Sequence, residues 1–256
     1  MQEPIGAPSE AMRLNRYLAH CGLGARRKCD EIISAGHIYI NGEKVTELGT
    51  KVRPDDRVEY RGKTVTPVRK LEYWAYHKPV AVMVTKSDPE GRMTVYKKLQ
   101  KTGFNAGHLN YVGRLDYFSE GLLLMTNDGA LIHALTHPRY HIKKTYRIQL
   151  EWPLRETDIK RLYEGIESEG QMLHAGDVQP APGAKDEYWY EVDLYEGKNR
   201  QLRRMFGALH LRIIRLARIR FACVKIGDLA PGAKRPLTPR EIAGLKAAGF
   251  KPKDAP

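Results

Sequence analysis

The sequence has few cysteines and no long apolar run. Its three cysteines, Cys21, Cys29 and Cys223, form no CxxC pair and cannot all pair with one another. Neither a disulfide framework nor a zinc ribbon is therefore indicated. No apolar stretch approaches the length that spans a membrane, and the start, MQEPIGAPSEAMRL, lacks the basic and apolar segments of a secretory signal. We expect a protein of a reducing compartment, the cytoplasm, with no membrane partner.

Basic residues, by contrast, are abundant. The chain of 256 residues has 43 Lys and Arg against 30 Asp and Glu, a formal net charge of +13. This excess favours a polyanionic partner such as a nucleic acid, although a solvated basic surface would have the same composition. Hydrophobic residues make up 42% of the chain, which is enough for a small domain and a medium one.

The region from residue 12 to 62 has the pattern of a small module with two helices and a hairpin. Apolar residues spaced i, i+3, i+4 and i+7 predict a helix at RLNRYLAHCGL. The stretch ARRKCDEIISAG predicts a second helix that buries Cys29. HIYINGEKV then alternates as two strands, with Asn41-Gly42 as the turn between them.

Positive charge is concentrated in this module. Residues 12–70 hold 13 Lys and Arg against 7 Asp and Glu, and a basic cluster marks the start of the second predicted helix, where a phosphate backbone could lie. The run RLNRYLAHCGLGARRKCDEIISAGHIYINGEKV resembles an S4 domain, the small RNA-binding module of ribosomal protein S4 and of several RNA-modifying enzymes. The residues assigned to RNA contacts here are Arg13, Arg16, Arg26, Arg27 and Lys28.

The rest of the chain predicts a larger α+β domain. We expect a disordered tail at residues 1–11, the S4 domain at 12–62, a linker at 63–72 and the second domain at 73–252. In that domain strands such as TYRIQLEW and YWYEVDLYEG are interspersed with helices such as GALIHAL and DIKRLYEGI. No regular βαβ alternation appears, which favours an α+β fold with a mainly antiparallel mixed sheet.

Three segments carry the catalytic prediction. GRLDYFSEGLLLMTNDG, residues 113–129, holds Asp116 between glycine turns and an apolar strand, where an aspartate either caps a turn or catalyses. IKKTYRIQL places Tyr146 among cations, and a strand tyrosine either packs in the core or faces a pocket to stack on a base or transfer a proton. Between Gly197 and Arg220 there are eight basic residues and no acidic one, a density that points to an anion.

In this order the segments resemble the rRNA pseudouridine synthases of the RsuA and RluB type, in which an S4 domain precedes the catalytic domain. The resemblance implies isomerisation of uridine to pseudouridine in ribosomal RNA, and the NRQLRRMF form slightly favours large-subunit over small-subunit RNA. It implies that Asp116 is the catalytic aspartate, Tyr146 the active-site tyrosine and Arg203 the arginine that pairs with the carboxylate. We expect the target nucleotide to be flipped out of its helix, with contacts to phosphates offsetting the cost. The residues assigned to RNA contacts in this domain are Arg114, Lys144, Arg200, Arg204 and Arg218.

No cofactor or metal is expected. The reaction breaks the bond from N1 to the sugar and rejoins the base through C5, without net redox change or hydrolysis; a carboxylate could attack the sugar C1′ or assist departure of the base. His133, His137 and His141 recur every four residues. Pro138 should break the helix that would align them, and no acidic or cysteine partner has suitable spacing. The expected partner is ribosomal RNA or a pre-ribosomal particle, bound by a monomer.

Two other functions compete with this one. A non-catalytic RNA-binding or ribosome-assembly protein would use the same basic surface but would not need Asp116, Tyr146 and Arg203 together. A glycosidase or base-excising enzyme commonly uses two carboxylates, and no second acidic residue has an equally marked context. Two positions depart from the pattern of the resembled family: Ser119 stands where many relatives have Thr, and Ala81 stands where Gly is usual.

Overall fold

The computed structural model describes residues 11–67, 70–182 and 188–249. Residues 1–10 of the predicted tail at 1–11, and residues 250–252 of the second predicted domain, lie outside the described residues. The described chain divides into two compact units: the first holds residues 11–67, 70–72 and 105–110, and the second holds 73–104, 111–182 and 188–249. Within these ranges no helix combines the length and apolar character needed to cross a membrane.

The first unit is a two-helix module with short strands. Its helices are α1 Leu14–His20 and α2 Arg26–Ser34, and its strands are β1 Met12–Arg13, β2 Ile38–Ile40, β3 Glu43–Val45, β4 Lys51–Val52, β5 Val58–Tyr60 and β6 Lys63–Thr64. Strands β3, β2, β5 and β6 form an antiparallel sheet in that order, and β1 pairs with β4. Asn41 and Gly42 both have positive φ at the hairpin turn, as the sequence predicts. The predicted order of helix, helix and hairpin is confirmed. Cys29 is completely buried in the core of the unit, as the sequence also predicts.

The remaining elements follow along the chain. The strands are β7 Tyr73–Lys78, β8 Asn110–Val112, β9 Glu120–Thr126, β10 Lys144–Leu150, β11 Ile166–Ser168, β12 Gln171–Leu173, β13 Val178–Pro180, β14 Trp189–Leu194, β15 Ile213–Phe221, β16 Val224–Lys225 and β17 Lys234–Pro236. The helices are α3 Val95–Gln100, α4 Gly129–Thr136, α5 Glu156–Glu164, α6 Gln201–Ala208 and α7 Pro239–Gly249, with a 3-10 turn at Pro138–Tyr140. Helix α4 ends just before Pro138, as predicted, and Asp128 caps its start by accepting a hydrogen bond from Leu131 N.

One mixed sheet organises the second unit. Its strands run in the order β13, β14, β10, β15, β9, β7 and β17, and each neighbouring pair is antiparallel except β15 with β9, which is parallel. The predicted α+β fold with a mainly antiparallel sheet is confirmed. The sheet brings three distant parts of the sequence side by side: the segment after residue 113, strand β10 and the basic strand β15.

One core cluster of this unit lies on the face of β10 that carries Tyr146. Because side chains alternate along a strand, Tyr146, Ile148 and Leu150 point to one face. Ile148 and Leu150 are buried against helix α6, together with neighbours on β14 and β15, and Tyr146 packs against the same cluster. The residues of α6 in this cluster are Leu202, Met205 and Phe206. Helix α6, which carries Arg203, is therefore anchored over the face that carries Tyr146.

Candidate active site

Asp116 lies in a turn just before β9. Ser119 N donates to Asp116 O at 3.1 Å, which closes the turn, and the Asp116 side chain is partly buried. A completely buried cation, Lys78 at the end of β7, supports this loop. Its Nζ donates to Ser119 O at 2.6 Å and to Pro79 O at 2.9 Å. The loop is thus held by charge-assisted hydrogen bonds from a neighbouring strand.

Burial changes the proton affinity of this lysine. Desolvation lowers the pKa of Lys78 from 10.5 to about 8, while the nearby carboxylates of Asp116 and Glu120 act in the opposite direction. The positive charge of Lys78 therefore depends on both the carbonyls that it binds and the acidic groups beside it. The attraction of the Asp116 carboxylate raises the pKa of Lys78, so the buried ammonium and that carboxylate interact electrostatically.

Backbone strain is tolerated beside the loop at Ala81. Its φ is +58°, a left-handed conformation that costs an ordinary residue about 1–2 kcal/mol. Ala81 N donates to Tyr117 O at 2.8 Å, so the strained residue is tied to the residue after Asp116. The glycine that is usual at this position in the resembled family is therefore not required for the loop to form, because alanine here adopts the left-handed backbone conformation.

Gly121, in contrast, is required by close packing. Its φ is +104°, and an added Cβ would lie 2.4 Å from Arg218 O and 2.6 Å from Arg218 N. Gly121 and Arg218 are partners in the parallel pairing of β9 with β15. The absence of a side chain lets the start of β9, which follows the Asp116 turn, approach β15 directly.

The three predicted catalytic residues line one cavity. This Asp116 cavity has a volume of about 90 Å³ and includes Asp116, Tyr146 and Arg203 in its wall. Arg114 and Arg200, both exposed, also line it. The structure therefore brings together side chains that lie 30 to 87 positions apart in the sequence.

Arg203 has an unused hydrogen-bond donor at this cavity. Its Nη2 donates to Phe118 O at 3.1 Å, whereas its buried Nε has no hydrogen-bond partner among the described residues. Desolvation and the neighbouring charge of Arg200 lower the pKa of Arg203, and the charge of Asp116 opposes this change. The guanidinium thus interacts electrostatically with Asp116 and keeps a donor free for another group.

A second, larger cavity adjoins the first. This Lys144 cavity has a volume of about 260 Å³, and both cavities share Arg114, Tyr146, Gly197 and Lys198 in their walls. Its apolar lining includes Leu135, Ile142 and Phe221. Tyr146 therefore stands where the two cavities meet.

The Lys144 cavity is rich in positive charge. Arg218 is only 1% exposed; its Nε donates to Leu122 O at 2.8 Å, but its buried Nη2 has no partner among the described residues. Burial and the charge of Arg218 lower the pKa of Lys144 to about 8, with Glu196 opposing. Glu196 is itself paired with Lys198 at 3.1 Å. A buried cation with an unused donor favours an anionic ligand at this cavity.

The other predicted RNA contacts are absent from the walls of the two cavities. Arg204 lines neither cavity and is largely buried. It donates to Gln171 Oε1 at 3.2 Å and forms an ion pair with Glu169 at 3.3 Å. These contacts connect α6 to the hairpin of β11 and β12. In the first unit the basic side chains are exposed, and Lys28 pairs with Glu31 at 2.6 Å. The predicted RNA contacts of that unit, all exposed, are Arg13, Arg16, Arg26, Arg27 and Lys28.

Sequence reasoning missed two features of the site. Lys78 gives no periodic signal, and its role follows only from the sheet, which places β7 next to β9. The ring of Phe118 also carries no motif, yet it is exposed beside Asp116. Among the described residues, no group of three His, Cys, Asp or Glu side chains is arranged to hold a metal ion.

Comparisons with known proteins agree with this arrangement. The family model for RNA pseudouridylate synthase matches residues 72–208, and the S4 domain model matches residues 12–58. An uncharacterized RNA pseudouridine synthase of Aquifex aeolicus is 35% identical, over 94% of this chain and 96% of the relative. Ribosomal large subunit pseudouridine synthase B of Bacillus subtilis is 34% identical, over 95% and 99%. A crystal structure of a pseudouridylate synthase has a TM-score of 0.65 and 28% identity, covering 91% of this chain and 99% of the other.

The fold, the cavity and these likenesses define an isomerase that acts on RNA. The family model covers more than half of the chain, and relatives above 30% identity match it from near one end to the other. The chain belongs to the RNA pseudouridylate synthase family.

Proposed function

We propose that this protein converts uridine to pseudouridine at a specific position of ribosomal RNA, with Asp116 as the essential residue. The observation that carries this proposal is the meeting of Asp116, Tyr146 and Arg203 at one cavity. A relative named ribosomal large subunit pseudouridine synthase B, aligned along nearly its whole length, favours 23S over 16S RNA as the substrate.

We assign each of the three residues a role from its surroundings. The Asp116 carboxylate attacks the sugar C1′ or assists departure of the base, and the buried Lys78 beneath its loop keeps it in place. Arg203 attracts and orients the Asp116 carboxylate through its positive charge. Tyr146 stacks on the extruded base or, in a route through a glycal intermediate, removes the C2′ proton of the sugar.

The cations around the two cavities would bind the RNA backbone. Arg114 and Arg200 are exposed at the Asp116 cavity, while Lys144 and Arg218 line the larger one. Arg204 is the weakest member of the predicted set, because the hairpin already occupies its donors. The basic residues of the first unit, Arg13, Arg16, Arg26, Arg27 and Lys28, would add phosphate contacts that depend on salt.

The domain boundaries form part of the same proposal. We propose an S4 RNA-binding domain at 12–62, a linker at 63–72 and the catalytic domain at 73–252, acting as a monomer on ribosomal RNA or a pre-ribosomal particle in the cytoplasm. Two observations support the proposed S4 domain: the S4 domain model matches residues 12–58, and these residues belong to the compact first unit.

Nucleoside analysis tests the reaction class. Transcripts of 23S and 16S RNA are incubated with the protein, digested to nucleosides and separated by chromatography. We expect pseudouridine to appear in one RNA with no loss of base. Free uracil with abasic RNA would instead identify a base-excising enzyme, and unchanged uridine in naked RNA and in ribosomal particles would leave only an RNA-binding function.

A further inference from the structure

A large aromatic side chain is exposed beside the proposed catalytic aspartate. Phe118 is 65% exposed and lies two residues after Asp116. Two residues of extended chain span about 7 Å at most, so the Cα atoms of Asp116 and Phe118 lie within that distance. Single exposed aromatic rings are common on protein surfaces, and Phe118 is distinguished by its place beside Asp116 and by the bond from Arg203 to its carbonyl.

The backbone that presents this ring is fixed on both sides. Phe118 O accepts from Arg203 Nη2 at 3.1 Å, Tyr117 O accepts from Ala81 N at 2.8 Å, and Ser119 O accepts from Lys78 Nζ at 2.6 Å. Three consecutive carbonyls are thus tied to two other segments, residues 78–81 and helix α6. The ring of Tyr117 also contacts that of Phe118 edge to face, with centroids 4.9 Å apart. The backbone of Phe118 is therefore fixed at the rim of the Asp116 cavity, next to the wall residues Ser119 and Arg203, while its ring is exposed and lines neither cavity.

The reaction itself creates a partner for such a ring. Extruding a uridine from a stacked strand leaves each neighbouring base with one uncovered face, and this loss costs a few kcal/mol. The RNA must pass the rim, because the sugar C1′ of the target has to reach Asp116. Arg114 and Arg200, exposed at the same cavity, attract the phosphates of that strand. An aromatic ring held there replaces the lost stacking for any base, since every base has a π-face.

We propose that Phe118 is a substrate-binding residue that stacks on the base next to the target uridine, on the face that extrusion uncovers, and so stabilises the flipped-out state. This inference rests on the proposed function, because it requires an extruded nucleotide at Asp116. The ligand is a nucleobase in RNA, and the contact depends on the flat face of the ring rather than on its apolar character alone.

The test compares Phe118→Ala, Phe118→Leu and Phe118→Trp on RNA labelled with tritium at uridine C5, which is released when the base rejoins the sugar through C5. We expect kcat/KM to fall about 5- to 150-fold in the Ala variant, equivalent to about 1–3 kcal/mol at 1.4 kcal/mol per factor of ten. The Leu variant should resemble Ala, whereas Trp should keep activity within about threefold of the wild type because it restores a stacking face. Tryptophan fluorescence checks that each variant is folded.

Trp152→Ala is the matched control. Trp152 is 62% exposed, follows the end of β10 and lines neither cavity, so its loss should leave kcat/KM unchanged. The inference is overturned if Phe118→Ala retains wild-type kcat/KM, or if Leu supports activity as well as Trp does. If the wild type itself releases no tritium, the proposed function has failed and the inference falls with it, an outcome distinct from failure of the variants alone.

Discussion

Replacing the buried Lys78 with methionine should change how stability depends on pH. In the folded protein the pKa of Lys78 is lowered from 10.5 to about 8, chiefly by burial. At roughly 1.4 kcal/mol per pKa unit, keeping the ammonium form buried costs about 3 kcal/mol relative to the neutral amine. Methionine has a similar length and no charge, so the variant lacks this titration.

The sign follows from proton uptake. Below pH 8 the lysine is protonated in both the folded and the unfolded protein, so its contribution to stability does not vary with pH. Between pH 8 and 10.5 the unfolded chain binds the proton and the folded chain does not, so raising the pH stabilises the folded state. The free energy of unfolding of the wild type should therefore rise relative to that of Lys78→Met by about 2 kcal/mol between pH 7 and 9.5.

Denaturant unfolding followed by tryptophan fluorescence measures this difference. All three tryptophans, Trp74, Trp152 and Trp189, belong to the second unit, so the signal reports on the unit that contains Lys78. Subtracting the variant curve from the wild-type curve removes the other groups that titrate in this range. A difference that stays flat, or falls, as pH rises from 7 to 9.5 would refute the account of a desolvated ammonium under the Asp116 loop.

Three further predictions follow from individual contacts. Gly121→Ala should destabilise the protein by at least about 2–4 kcal/mol, because its Cβ would overlap the Arg218 backbone at 2.4 Å; an unchanged Tm would contradict this. RNA affinity, measured by filter binding, should fall as pH rises through about 8, because Lys144 loses its charge there. Lys144→Arg should abolish that fall, and a pH dependence that persists in the variant would contradict the assignment to Lys144. Arg200→Ala should reduce the slope of log affinity against log salt by about 0.7–0.9, whereas Arg204→Ala should lower Tm and leave the slope unchanged. Equal slopes for the two variants would refute the assignment of a phosphate contact to Arg200 and a structural role to Arg204.

Much of the fold could be predicted because its signals are local. The spacing of apolar residues around Leu18 and Cys29 identifies two helices, and positive φ at Asn41-Gly42 forms the predicted turn. Pro138 ends α4 because proline lacks the required N–H. The strand order was not predictable in the same way, since the parallel pairing of β9 with β15 depends on a contact between Gly121 and Arg218, almost a hundred residues apart.

The candidate site was predictable only where it carries a motif. Asp116, Tyr146 and Arg203 follow from the resemblance, and the structure places them at one cavity. The support by Lys78 and the exposure of Phe118 arise from tertiary packing, which no residue pattern records. Arg204 shows the converse: a basic run predicts a phosphate contact at each member, whereas packing of α6 on a hairpin gives this arginine structural partners instead.

The central claim is that Asp116 carries out uridine isomerisation, and release of tritium from ribosomal RNA labelled at uridine C5 tests it most directly. The wild type, Asp116→Asn and the control Asp228→Asn, which changes an exposed aspartate outside both cavities, are compared on the same RNA. The account predicts release by the wild type and the control and none by Asp116→Asn, with all three proteins folded and binding RNA. Release by Asp116→Asn at the wild-type rate would contradict it.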